Sequence, residues 1–395
     1  MDRVIAVIGG GQLARMMVPP AVDLNITLKT LVEAEDSSAA QVTARATVGD
    51  PNDLGDVLRL VEGAEVVTFE HEHIPQEVLA ELDTSISVQP PPHALLYAQD
   101  KLAMRRKLTE IGVPVPTWAQ VTSHKQLRRF GQEVSWPFIA KTPVGGYDGK
   151  GVRVVNHNDS LDDWLERGPV LVEEKVPFTR ELAVLLARSP SGEIARWPIA
   201  QTIQRDGVCA EVIAPAPLLS HSVQKQAYHA AETIAHELGV TGVLAVEMFL
   251  VEQSPSDLSA SDQVPPAKNR KGRGSASVFV NELAMRPHNS GHWTINGSQT
   301  SQFEQHLRAV LDLPLGPTDL RGRVWVMKNL LGTTYDHAAA ALPAALKQVP
   351  SAHIHLYGKS VRPGRKLGHV NVEAACAEEA ARQAQRAIDI LFGEQ

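Results

Sequence analysis

Two carboxylates interrupt strands that are otherwise apolar: Glu247 in "GVLAVEMF" and Glu282, preceded by Asn281, in "VFVNELAMRPHNSGHWT". A buried, unpaired carboxylate costs several kcal/mol, so a cation has to meet each one. Joined as a hairpin, the two strands would set Glu247, Asn281 and Glu282 side by side. That is an all-oxygen set suited to Mg²⁺ or Mn²⁺, with structural salt bridges as the alternative. Upstream, "FIAKTPVGGYDGKGV" ends an apolar strand on Lys141 and continues into Gly145, Gly146, Gly149 and Gly151. Glycines let backbone N–H groups approach phosphate oxygens, and a lysine at the strand end adds a point charge. No Gly-Lys-Ser/Thr follows, so this is not a Walker A loop.

Anion-binding residue types cluster twice more. "RPHNSGHWT" holds Arg286, His288, Asn289, His292 and Trp293, and "GKSVRPGRKLGH" holds Lys359, Arg362, Arg365, Lys366 and His369. Guanidinium and ammonium groups bind phosphates through charge-assisted bonds. His288 and His292 have the i, i+4 spacing of zinc ligands, but Asn-Ser-Gly between them breaks the helix such a site needs. The chain also opens with "VIAVIGGGQLARM", a Gly9-x-Gly11-x-x-Ala14 fingerprint followed by Glu33 and Glu35 after a second apolar run. Alone, that pattern predicts a dinucleotide site.

Positioning these groups takes several elements. Residues 1–98 alternate strand and helix, which argues for a parallel sheet covered by helices. The prolines of "SVQPPPHAL" close that domain. Residues 99–312 form a second domain. It contains the helix "DKLAMRRKLTEIG", a mobile lid at about 115–175, a long helix from His221 to Gly239 and a loop insertion at 253–275 rich in Ser, Pro, Gly and charge. The third domain, 313–395, is small and β-rich and ends in the helix "AEEAARQAQRAIDILF". At 395 residues the chain exceeds one core, and its net charge of -7 argues against a nucleic-acid partner. Cys209 and Cys376 are far apart and support neither a disulfide framework nor zinc, so a reducing, cytoplasmic setting is expected. No apolar run approaches the roughly 18 residues of a membrane span, and no signal peptide is expected.

In order along the chain, "DKLAMRRKLTEIGVPVP", "AKTPVGGYDGKGV", "VEEKVPFTRELAV", "AVEMF" and "NELAMRPHNSGHWT" resemble the ATP-grasp superfamily. "GGGQLARM", "GGYDGKG", "RPHNSGHWT", "SQFEQHLRA" and "RPGRKLGH" look, within it, like the N5-carboxyaminoimidazole ribonucleotide synthase family, over residues 1 to about 372. The resemblance implies an α/β and α+β architecture: an ATP-grasp fold with a Rossmann-like (pre-ATP-grasp) parallel-sheet domain before it and a β-rich domain after it. It implies ATP- and bicarbonate-dependent carboxylation of 5-aminoimidazole ribonucleotide through carboxyphosphate, with Mg²⁺ or Mn²⁺, in a homodimer.

Carried over to this chain, Lys101 and Lys141 would hold ATP phosphates under the loop Gly146, Tyr147, Asp148, Gly149, Lys150, Gly151 and Val152. Glu173, Glu174, Lys175 and Val176 would meet the adenine, Glu181 the ribose, and Gln204 and Asn281 would lie beside the nucleotide. Glu247 and Glu282, with Asn281, would bind the metal. The acceptor nucleotide would meet Gln12, Glu70 or Glu72, Tyr147, Lys150, Arg286, His288, Lys359 and Arg365, with Arg286, His288, Lys359 and Asp148 catalytic. Met285 stands where many relatives have proline, Lys101 and Lys150 where arginine is common, and Gln204 where histidine is frequent. The rivals are another ATP-grasp ligase of the glycinamide ribonucleotide transformylase type, an NAD-binding oxidoreductase, and a non-catalytic nucleotide-binding scaffold.

Overall fold

The computed structural model describes residues 3–146, 151–252, 276–332 and 338–393. Tyr147, Asp148, Gly149 and Lys150, and the insertion at 253–275, lie outside the described residues. The first sheet is parallel: β1 (Arg3–Ile8), β2 (Ile26–Val32), β3 (Arg45–Val48), β4 (Val66–Phe69) and β5 (Ser87–Val88) run in the order β3-β2-β1-β4-β5. The helix after β1 covers Gln12–Asp23, continuing past the point where Pro19 and Pro20 would be expected to end it. The prolines remove two donors, but Leu13, Ala14, Met17 and Ala21 remain buried along one face, and that packing holds the last turn.

A small antiparallel sheet follows, β6 (Trp118–Val121), β7 (Phe138–Lys141), β8 (Val152–Val155) and β9 (Val170–Glu174), in the order β6-β9-β7-β8. The remaining strands are β10 (Arg180–Arg188), β11 (Ile194–Arg196), β12 (Ala200–Arg205), β13 (Val208–Ala214), β14 (Gly242–Glu252), β15 (Ala276–Ala284), β16 (Val324–Leu331), β17 (His353–Leu356) and β18 (Lys366–Ala374). They form one continuous sheet, β15-β14-β10-β12-β13-β16-β18-β17, with β11 on β10. The carboxy-terminal strands therefore extend the sheet that carries Glu247.

Two devices fix the parts relative to one another. Helix His221–Glu237 is capped by the Ser220 hydroxyl and buries Val223, Ala227, Ala230, Ala231 and Ile234 against the main core. The buried His306 joins the first sheet to the large one: its Nδ1 accepts from Val243 N (3.0 Å), and its Nε2 therefore donates to Thr68 Oγ1 (2.8 Å). Thr68 lies two residues before Glu70, and Val243 four before Glu247, so this one ring registers two halves of the site.

Candidate active site

The hairpin expected from the sequence exists. β14 and β15 are antiparallel, and Glu247 pairs with Glu282. Beyond that pair the register slips, Met248 facing Val280, so Asn281 is the extra residue of a β-bulge. The bulge lets two successive side chains serve one side. Asn281 Oδ1 accepts from Lys141 Nζ at 2.9 Å, while burial, then Glu282, then Glu181 raise the Glu247 carboxyl to about 8. Lys366 and Lys141 pull it down but do not offset the rest. Two like charges held together at the cost of a retained proton form a place where a hard divalent cation would relieve strain. Among the described residues no group of three His, Cys, Asp or Glu side chains is arranged to hold a metal, so the donor set on offer is this carboxylate pair with its neighbouring amide.

Lys141 also pairs with Glu173 (2.9 Å), and Glu173 is clasped from its other side by the fully buried Arg105. Burial by itself would raise this carboxyl, but the two cations overcome it and hold it at about 2. Glu173 thus orients Lys141 through its side chain. The Glu174 side chain accepts from Thr117 N (3.1 Å), its own N–H donates to Thr117 O (2.8 Å), Lys175 is exposed and Val176 is buried. Lys101 Nζ reaches the carbonyls of Gly145 (3.2 Å) and Gly146 (3.4 Å), directly under the glycine loop. Gly146 and Gly151 have φ of 76° and 72°, where a side chain is disfavoured, and Val152 pairs with Lys141 across the loop's base. Glu181 is raised by burial and bonded to Gln204. Phe249 lies directly across from it and stacks on Phe178 at 4.6 Å, an apolar wall that nothing in the sequence pattern singled out.

A second group of residues adjoins the first. Arg286 Nε donates to Glu72 at 2.7 Å, and Met285 N donates to the other oxygen of that carboxylate. His288 is held by Gln302 at its backbone and by Ser290 at Nδ1 (2.8 Å), which aims Nε2 at Glu247 Oε1, 3.4 Å away. Burial, then Arg286 and Lys366, depress this imidazole to about 3, so it is neutral. Glu70 fills the place in the glycine turn where a dinucleotide phosphate would sit. It accepts from Leu13 N (3.3 Å), and a Cβ on Gly11 would overlap its carboxylate. The helix N-terminus already has its anion, which explains the glycines without NAD. Lys359 donates to Gln12 at the same turn and is depressed by burial and then by Arg365, which donates to Ser360 Oγ (2.6 Å).

The two polar clusters read as anion sites divide on inspection. His292, Trp293 and His369 are interior: Gln302 bonds His292 Nδ1, and Tyr357 Oη meets His369 Nδ1 at 2.7 Å. Sequence reading passed over Arg105, Phe249 and Cys209. The Cys209 thiol is pushed up to about 12 by burial and then by Glu247, which leaves it protonated and inert. A lone cysteine on a strand gave no signal of this.

A lysine at the end of one small antiparallel sheet, seated between its glycine loop and a carboxylate pair on a second antiparallel sheet, with a parallel-sheet domain before both, defines an ATP-grasp enzyme. The comparisons agree: the ribonucleotide synthetase preATP-grasp domain matches residues 1–99, the ATP-grasp domain 106–303, and the phosphoribosylaminoimidazole carboxylase C-terminal domain 326–383. N5-carboxyaminoimidazole ribonucleotide synthase of Corynebacterium ammoniagenes is 48% identical, over 98% of this chain and 92% of that one. The crystal structure of the Thermus thermophilus synthetase matches with TM-score 0.84 and 34% identity over 99% of each chain. That of the Aspergillus clavatus enzyme, in complex with ADP and 5-aminoimidazole ribonucleotide, matches with TM-score 0.85 and 31% identity, over 99% of this chain and 98% of the other. The chain belongs to the N5-carboxyaminoimidazole ribonucleotide synthase family, ATP-grasp ligases that form a carbon–nitrogen bond.

Proposed function

We propose that the chain carboxylates the exocyclic amine of 5-aminoimidazole ribonucleotide in purine biosynthesis, using ATP and bicarbonate and passing through carboxyphosphate. The observation that carries this reading is the 3.4 Å approach of His288 to Glu247, which joins the Lys141 and carboxylate side to the Arg286, Lys359 and glycine-turn side. ATP would lie with its phosphates at Lys101, Lys141 and the glycine loop, its ribose at Glu181 and its base against Phe249. Glu247 and Glu282 would hold Mg²⁺, which supplies charge neutralisation at the phosphates when bound. A bicarbonate oxygen attacks the γ-phosphorus and the bond to the β-phosphate oxygen breaks, releasing ADP. The amine nitrogen then attacks the carboxyl carbon, phosphate leaves, and the amine proton is lost.

The chain's own groups position and shield these steps. Glu72 fixes the Arg286 fork, and His288, held neutral by burial, adds no charge of its own beside Glu247. The acceptor's phosphate end is assigned to Lys359, Arg365 and Gln12. Tyr147, Asp148 and Lys150, outside the described residues, are assigned to the acceptor from the resemblance alone. The reading also places a homodimer in the cytoplasm. Two unpaired cysteines are compatible with that compartment, and no helix among the described residues is long and apolar enough to cross a membrane. Phosphate release from ATP and Mg²⁺ tests the function: it should require bicarbonate and rise when 5-aminoimidazole ribonucleotide is added. No stimulation by the acceptor would overturn the reading. Light scattering checks the dimer.

A further inference from the structure

The loop between β2 and β3, residues 33–44, clasps two distant parts of the chain. Toward the first sheet, Ala39 N donates to Gly10 O (2.9 Å) in the glycine turn. Arg15 Nη1, from the helix that this turn opens, donates to Ser38 O (2.9 Å) and to Gln41 Oε1 (3.2 Å). Toward the carboxy-terminal strands, the buried Ser38 hydroxyl donates to Tyr357 O (2.6 Å), and Gln41 Nε2 donates to Gly358 O (2.8 Å) and to Asp36 O (3.0 Å). Gln41 is exposed, yet its amide oxygen and both amide protons are engaged. It gives up rotamer freedom that an ordinary surface glutamine keeps.

The residue that follows this clasp is Lys359, whose ammonium donates to Gln12 at the same glycine turn. Lys359 lies between β17 and β18, so no strand ladder holds its backbone. The two residues before it are pinned instead: Tyr357 N donates to Leu367 O (2.9 Å), Tyr357 Oη meets His369 Nδ1 (2.7 Å), and the carbonyls of Tyr357 and Gly358 are taken by Ser38 and Gln41. Gly358 has φ of 65°, and a Cβ there would lie 2.1 Å from Gln41 Oε1, so the turn and the clasp both call for glycine. We propose that Gln41, with Ser38, is a positioning residue for the acceptor, acting through Lys359, which it sets at the glycine turn where the acceptor's phosphate binds. This rests on the function proposed above. A flexible ammonium side chain serves a binding site well only when its stem starts from a fixed point, and a supporting layer of hydrogen bonds supplies that point here. Because one loop bonds both Gly10 O and the Tyr357 and Gly358 carbonyls, it also sets the spacing between Gln12 and Lys359.

The test is a double-mutant cycle in steady-state kinetics on the whole chain: wild type, Gln41→Ala, Lys359→Met and the two combined, each checked by thermal melting. Wild-type turnover dependent on 5-aminoimidazole ribonucleotide comes first, and its absence would defeat the functional reading and this proposal with it. Gln41→Ala should raise the KM for 5-aminoimidazole ribonucleotide about fivefold, the worth of one neutral hydrogen bond, with kcat and the KM for ATP within about twofold. In the Lys359→Met background the same substitution should change the acceptor KM by less than about 1.5-fold, because the group it positions is gone. Where Lys359→Met turns over too slowly, the acceptor's Kd by calorimetry replaces KM. An acceptor KM unchanged by Gln41→Ala, a rise of equal size in both backgrounds, or an equal rise in the KM for ATP would overturn the assignment. If Gln41→Ala does not fold, Gln41→Met, which keeps the length of the side chain and loses its donors, takes its place with the same criteria.

Discussion

Acidification should weaken this protein through its buried histidines, at pH values above the ordinary carboxylate range. His288, His292, His306, His355 and His369 are all depressed, chiefly by burial: His288 and His306 to about 3, His355 to about 4, His292 and His369 well below the ordinary value. A histidine neutral in the fold and ordinary when unfolded stabilises above pH 6.5, and that stability is lost as the pH falls, because the unfolded chain takes up the proton. The loss at pH 5.5 is set by the unfolded value alone once the native value lies below about 4.5. From pH 7 to 5.5 it amounts to about 1.3 kcal/mol per ring, or about 6 kcal/mol for the five. Glu247 works the other way: raised to about 8, it is relieved by protonation and returns about 2 kcal/mol over the same range. Glu70 is also raised by burial. The net loss is about 4 kcal/mol, a large part of a domain's stability. Urea unfolding at the two pH values, followed by tryptophan fluorescence, measures it, since Trp293 neighbours His292 and Trp325 lies 5.6 Å from His353. A change under about 1 kcal/mol would refute the argument, because it would mean that the rings already carry protons or water in the native state.

Other perturbations separate the parts of the site. Glu282→Ala should lower turnover more than about 100-fold by removing a metal-binding carboxylate, and the metal-free protein should melt no lower, since Glu247 loses its like-charged neighbour. Unchanged turnover would exclude the metal role. Arg105→Met leaves Glu173 buried with one cation and should destabilise by about 3 kcal/mol in denaturant titrations. Gly11→Ala pushes a methyl group into Glu70 and should raise the KM for 5-aminoimidazole ribonucleotide while leaving ADP affinity unchanged by calorimetry. Deleting residues 254–274 should leave turnover within about twofold in the same assay, if that insertion only joins β14 to β15.

The features legible in the sequence are those whose chemistry violates its local pattern. Glu247 and Glu282 stand out because each breaks an apolar strand, and antiparallel pairing of neighbouring strands then suffices to bring them together. Lys141 stands out by ending a strand before four glycines. Tertiary partnership is another matter. "RPHNSGHWT" gives His288 and His292 equal standing, yet one faces Glu247 and the other is enclosed by Gln302 and Asn371, a difference set by a short 3₁₀ turn at Asn289–Gly291. Gly11 reads as a dinucleotide glycine because sequence shows the missing Cβ but not what fills the space, and Glu70 arrives from a strand more than fifty residues on. Bulges are the least visible of all, since one unpaired residue reverses the facing of everything beyond it without any change in composition. Two bulges follow that logic: the slip at Asn281 adds an amide beside the carboxylate pair, and the slip at Leu367 sends Leu367 into the apolar core and puts Lys366 on the His369 face of the carboxy-terminal strands. Both slips lie in one continuous sheet, so the carboxy-terminal strands are built into the sheet that carries Glu247 rather than appended to the nucleotide-binding part.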